Sequence, residues 1–266
     1  MKYFKLYVEF IKIRMMSIAE YRKAFFIGAI AQFIGYGAQF IVLWLMLDHF
    51  QTINGWTKYE VILLYSFNLA SYALAAFFLF NPTRQLSLMI KNGTFDEVLT
   101  KPLNSLLYLI CRDFNTAYFS HLTLAVSFMI ISFIQLGITL GSAQFFFLVI
   151  TLIGGALIQG GLMLLMALPT FWIVENRGLI EILSQKARFV QYPISIYNIA
   201  LQVILTLILP YAFVNFFPIQ YLLQKDDFTV FHPSFQFLTP FVGMACMTIA
   251  YLGWTFAIKH YQSTGN

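Results

Sequence analysis

Charge is scarce in this chain. Only 10% of its 266 residues are Asp, Glu, Lys or Arg, while 60% are hydrophobic. Soluble domains hold about a quarter charged residues, so the composition excludes an ordinary water-facing globule and points to a bilayer. Cysteine is scarcer still. Cys111 and Cys246 stand alone, in no CxxC or metal spacing, and read as free thiols near or inside helices. The four histidines, His49, His121, His232 and His260, are scattered, and no HExxH is present. A GxxxxGK[ST] phosphate loop is missing, so the chain is not expected to hydrolyse ATP itself. A GxSxG elbow is missing too. Asp226 and Asp227 form an acidic pair with no histidine near them and read as solvated loop charge. No catalytic residue, metal site or nucleic-acid partner is expected.

What the chain has instead is long apolar runs. Five read directly as spans: Ala24–Leu47, Val61–Phe80, Phe114–Leu136, Ala143–Trp172 and Leu238–Ile258. Each has at least the ~20 residues a helix needs to cross ~30 Å of hydrocarbon. A sixth, Asn198–Phe217, is long enough but contains Pro210 and ends at Pro218. The first run begins after Lys23 and is too long for the apolar core of a signal peptide. The expectation is an all-α polytopic membrane protein with six transmembrane helices, a single domain over 1–266. His121, near one end of the third run, is the one titratable group of note within the spans and reads as a packed or hydrogen-bonded histidine.

Lys and Arg set the orientation. With the N-terminus inside, fourteen fall in inner segments and only Lys58 and Lys225 outside. Both termini are therefore expected in the cytoplasm. The last third allows two readings. Glu175–Tyr197, which carries Glu181, Lys186 and Arg188, is either a cytoplasmic helical loop or a short polar span. In the second case the chain from Pro193 to about Leu223 folds back as a re-entrant pair on the outer side. Burying Lys186 and Arg188 is costly unless they face a cavity or partner. Pro193, Pro210 and Pro218 suit broken helices in either case.

In the N-terminal segment 1–23, Lys2, Lys5, Glu9 and Lys12 recur at spacings of three and four, with Phe4, Leu6, Tyr7, Phe10, Ile11 and Ile13 around them. This predicts a helix lying in the membrane interface.

The loop 81–113 holds KNGTFDEVLTKP, which has a legible start and stop. Gly93 permits a sharp turn. Thr94 and Glu97 match a T-x-x-E capping box. Asp96 and Glu97 suit the first turn and Lys101 the last. Pro102 stops the helix. Phe95, Val98 and Leu99 share one face. A helix under two turns long is marginal alone. Signals this complete predict a docking element for a partner at the cytoplasmic surface.

IKNGTFDEVLTKPLN (Ile90–Asn104), YPISIY (Tyr192–Tyr197) and LTLILPYAFVNFFP (Leu205–Pro218) stand in that order, with the interfacial helix and the spans around them. Across essentially the whole chain this resembles the permease subunits of bacterial type-2 ABC exporters. The resemblance implies a type-2 exporter transmembrane fold in a bacterial inner or plasma membrane. It implies pairing with a second permease, identical or paralogous, around a substrate path. It also implies separate ABC ATPase subunits that hold ATP and Mg. Thr94–Lys101 would be the coupling helix seated on the ATPase, and the region after the fourth span would include a fifth span and outer re-entrant helices. Two other function classes make different demands. An ATPase-independent carrier or channel calls for buried charges or paired broken helices. A polytopic enzyme or scaffold calls for clustered catalytic residues.

Overall fold

A computed structural model describes residues 2–20, 22–50, 52–173, 191–225 and 230–263. Helices α1 (Lys2–Glu20) and α2 (Arg22–Phe50) come first. A two-stranded hairpin follows, β1 (Thr52–Ile53) and β2 (Trp56–Thr57), which turns through Asn54 and Gly55 at positive φ. Next are α3 (Lys58–Lys91), α4 (Phe95–Leu99), α5 (Ser105–Asp113), α6 (Tyr118–Gln135) and α7 (Ser142–Ala167). The last third holds α8 (Ile199–Val203), α9 (Phe216–Leu222) and α10 (Thr239–Lys259), with short 3-10 turns between them. Among the described residues five helices are long and apolar enough to cross a membrane. They match the five apolar runs, so the all-α polytopic reading holds.

α3 is the axis of the bundle. It starts at Thr57, whose backbone N–H donates to Glu60 Oε2 at 2.7 Å. It runs without a break through Pro82 to Lys91, eleven residues past the expected end at Phe80. At about 1.5 Å per residue it is about 50 Å long, more than a ~30 Å hydrocarbon layer requires. The end of α5 and the linker after it brace α3 beside Pro82. Asn115 N–H donates to Phe77 O at 2.8 Å, and Asn81 Nδ2 donates to Asp113 O at 3.0 Å.

α7 packs against both α3 and α10, and its crossing with α10 brings main chains into close approach. A Cβ on Gly243 would collide with the Gly154 backbone, and one on Gly154 would lie 2.9 Å from Pro240 Cα. Small residues at a helix crossing let dispersion contacts form where lipid offers no hydrophobic drive.

Asn198–Phe217 is not a span. α8 continues through a wide turn, Ile204–Ile208, closed by Leu209 N–H to Ile204 O at 2.8 Å. The chain then bends by 78° into Tyr211–Leu222. Both ends of this pair lie at the hairpin end of the bundle. Ser195 O accepts from Asn54 Nδ2 at 3.3 Å. Lys225 Nζ reaches Gly55 O at 2.8 Å and Glu60 Oε2 at 2.6 Å. The bend dips inward, where Asn215 Nδ2 donates to Leu64 O and Thr239 Oγ1 donates to Phe213 O. Of the two readings of this region, the re-entrant pair is the one the described residues match. Proline is the physical reason: Pro210 has no N–H to continue the first helix and sits at φ −70°, ψ 45°. Pro218 does not end an element but lies within α9, and Pro193 is buried ahead of the Ile194–Ile196 turn. Glu181, Lys186 and Arg188 fall outside the described residues. The flanks lie at opposite ends: Phe171 packs on Trp254 at the α4 end, and the Tyr192 hydroxyl is 3.9 Å from Met46 Sδ at the hairpin end.

Candidate functional site

Gly93, at φ +70°, turns the chain sharply off α3. The next residues form α4, five residues long. Its position is fixed by aromatic packing. Phe95 has no exposed surface, and its ring stands edge-on to Tyr261 at 5.1 Å, Phe171 at 5.4 Å and Trp254 at 6.2 Å. Edge-to-face pairs of this kind add roughly 0.5–1.5 kcal/mol each beyond area burial. Trp254 Nε1 in turn donates to Ser105 Oγ at 3.1 Å, which ties α10 to α5. The chain that follows α10 closes over the helix, where Ser263 Oγ donates to Asp96 Oδ2 at 2.5 Å. Burial, then the Asp96 carboxylate, push the Tyr261 phenol up to about 12. It therefore stays neutral at physiological pH.

Three sequence expectations are corrected here. Thr94 stands at the N-cap position but its side chain does not cap: it already has helical backbone angles, and its hydroxyl donates to Met89 O at 3.3 Å. The T-x-x-E box does not form, and Glu97 instead faces Lys101 at 3.7 Å. Lys101 lies beyond the last turn, because the helix ends at Leu99 with Thr100 as its cap. Phe95 and Val98 are not on the outward face. Val98 is 1% exposed, so both residues anchor α4 to its own bundle. Only Leu99, 38% exposed, turns outward from that apolar set. The outward surface is Lys91, Asn92, Thr94, Glu97, Leu99, Thr100 and Pro102. Residues missed in the sequence are Phe171, Trp254, Tyr261 and Ser263. Their only signal was an aromatic cluster far along the chain, with nothing local to place it under α4.

α1 packs on α5 beside this site. Phe10 meets Tyr108 edge-on at 4.9 Å, and the Asn104 N–H donates to the Tyr7 hydroxyl at 3.3 Å. Lys5, Glu9 and Lys12 all lie on the exposed side, with Lys12 2.7 Å from Glu9. Cys111, on α5, has its thiol pushed up by burial, so it is not an activated nucleophile. Among the described residues no cluster of three or more His, Cys, Asp or Glu could hold a metal.

A second polar group lies inside the bundle, where α2 meets α3 and α6. Tyr65 donates to Gln39 Oε1 at 2.5 Å. Tyr36 packs on the His121 ring at 4.0 Å, and Tyr118 packs on it at 4.8 Å. His121 is 2% exposed.

The described residues thus form a bundle of five long helices, a re-entrant pair at one end and a rigidly held short helix at the other. A family model described as ABC-2 family transporter protein matches residues 33–265. The chain belongs to the ABC-2 transporter family. It is a permease component, a multi-pass membrane protein whose family is not itself an ATPase. The match takes in α3–α10 and most of α2, and so includes the whole α4 site of this ABC-2 permease; α1 lies outside it. No curated protein and no solved structure matches the chain.

Proposed function

We propose that this permease is the membrane-spanning subunit of an ATP-driven exporter. A second permease, identical or paralogous, pairs with it around the substrate path. Separate ATPase subunits carry ATP and Mg and dock against α4. In this reading the α4 end and both termini face the cytoplasm of a bacterial cell, the hairpin end faces outward, and α1 lies in the inner interface. Family membership and the excess of Lys and Arg toward the α4 end support that orientation.

The observation that carries the proposal is the build of α4. Its inward face is seated against three aromatic rings and its outward face is left polar, with one exposed leucine. Such a helix cannot yield when pushed. A force on Leu99 and Glu97 passes through Phe95 into Phe171 at the end of α7 and Trp254 in α10. ATP binding would close the ATPase pair, move α4, and tilt the α3–α7–α10 unit from inward- to outward-facing.

The test is affinity purification of the tagged chain in mild detergent from its native host, with co-purifying chains identified by mass spectrometry. A stoichiometric ATPase is expected, and Leu99→Asp should lose it while still reaching the membrane. Recovery of the intact permease without any ATPase would favour a carrier working without one.

A further inference from the structure

The α2–α6 contact leaves two polar groups unsatisfied on facing helices. Both ring nitrogens of His121 are buried without a hydrogen-bond partner. The Ala117 carbonyl one turn back is within reach of the ring but outside good hydrogen-bond geometry. On α2, Gln32 Oε1 is also buried without a partner. Gln32 precedes Tyr36, which packs on His121, by four residues, so the two share a face of α2 one turn apart. A buried unpaired polar group is expensive, and most of all in hydrocarbon. Here a donor and an acceptor that could satisfy one another are held about one helical turn out of register.

A shift of α2 breaks the Tyr65–Gln39 hydrogen bond and the Lys58–Asp48 ion pair, set against the His121–Gln32 bond gained. α2 and α6 run in the same direction, since Tyr36 packs on His121 and Phe40 stacks on Phe128 at 4.0 Å and 6°. Flat stacked rings can slide. No glycine locks α2 in place: nothing lies within 4 Å of where a Cβ would stand at Gly28, Gly35 or Gly37. α6, in contrast, begins beside the Asn81–Asn115 bridge to α3. One turn past Phe128, Ser132 Oγ is likewise buried without a partner.

We propose that α2 has two registers on α6. The structure shows the one in which Tyr36 covers His121. In the other, α2 moves about one turn, roughly 5 Å, toward the hairpin end, and Gln32 Oε1 accepts the N–H of His121. Phe40 then leaves Phe128 and comes beside Ser132. The pair is a bistable catch between a loosely held helix and the fixed bundle.

The experiment uses the full complex in native membranes, in a background where Cys111 and Cys246 are alanine. Two register reporters keep Gln32 and His121 intact: Phe40→Cys/Phe128→Cys and Phe40→Cys/Ser132→Cys. Each is treated with a short bifunctional thiol reagent, without nucleotide and with ATP and vanadate. Without nucleotide, the first pair should cross-link rapidly and the second accumulate slowly as α2 visits the other register. Adding Gln32→Leu or His121→Phe should lower the second product at least tenfold and leave the first unchanged. Absence of the Phe40/Ser132 product over hours, or its formation at the same rate in both added variants, would overturn the proposal. The nucleotide arm rests on the permease reading of the preceding section. A severalfold rise of the second product with ATP and vanadate would tie the catch to the transport cycle. ATP hydrolysis with no change in either product would also overturn it as part of that cycle. A complex that hydrolyses no ATP counts against the exporter reading alone, because the nucleotide-free arm still decides the registers.

Discussion

Glycine does opposite work in α7 and in α2. At Gly154, Gly160 and Gly161 of α7, a methyl group would meet a neighbour at 2.8–2.9 Å. At Gly28, Gly35 and Gly37 of α2 it would meet nothing within 4 Å. Burial follows the same division. In the most apolar 18-residue window of the α7 span 56% of residues are buried, and in that of α2 only 11%. Both helices are glycine-bearing and apolar, so composition does not separate them. What differs is whether this chain supplies the opposing surface. α3, α7 and α10 form a finished rigid unit, while α2 is held by the stripe of Phe40, Leu43 and Leu47, the Tyr65–Gln39 hydrogen bond and the Lys58–Asp48 ion pair, and leaves most of its surface for lipid or another protein.

The sharpest way to break this comparison is to fill a glycine of the rigid unit. Gly243→Leu should cost more than about 3 kcal/mol, above the usual range for overpacking, because the atoms in its way are main chain and cannot swing aside. Fluorescence-detected size exclusion after heating should show loss of the monodisperse peak. Next comes the seat of α4. Phe95→Ala should cost about 3–5 kcal/mol and loosen α4, with a lower melting temperature and less co-purified ATPase. Val98→Asp, which the sequence alone marks as a docking variant, should instead damage the fold, because it buries an unpaired carboxylate. Leu99→Asp, one residue on, should leave the melting temperature within about a degree. A stable Val98→Asp protein would mean that α4 is less tightly seated than described. Lys225→Met should cost about 1–3 kcal/mol, since it leaves a largely buried Glu60 carboxylate without its ion pair. The change should appear as faster proteolysis near the hairpin. At the small end, Gly35→Ala should shift stability by under about 1 kcal/mol, in the stabilising direction that helix propensity predicts. A large loss there would show that α2 already has a neighbour at that position.

The spans were legible because hydrophobic length is a local property, and the position of α4 was legible because Gly93 and Pro102 punctuate it locally. The orientation of α4 was not. Phe95, Val98 and Leu99 share a face by spacing, but spacing does not say whether that face looks in or out. The answer lies in Trp254 and Tyr261, more than 150 residues away. The capping box at Thr94 failed for a related reason. A local motif proposes a hydrogen bond, and here the turn at Gly93 already puts Thr94 in helical angles and points its hydroxyl at Met89. Asn198–Phe217 read as a span because hydropathy counts apolar residues without regard to direction. Only the hydrogen bonds from Asn54 and Lys225 show that the segment returns to the end it came from.

α3 reaches from Lys58, beside the Glu60–Lys225 ion pair, to Lys91, two residues before the turn into α4. It is one unbroken rod of about 50 Å, and it makes the two faces of the protein the two arms of a lever. If the rod pivots near its middle, where Ser71 abuts Gly155, a tilt of about ten degrees displaces each end by roughly 4 Å, in opposite directions. That sweep is comparable to the width of a side chain. It would carry the hairpin and the mouth of the re-entrant pair sideways without breaking a hydrogen bond inside the helix.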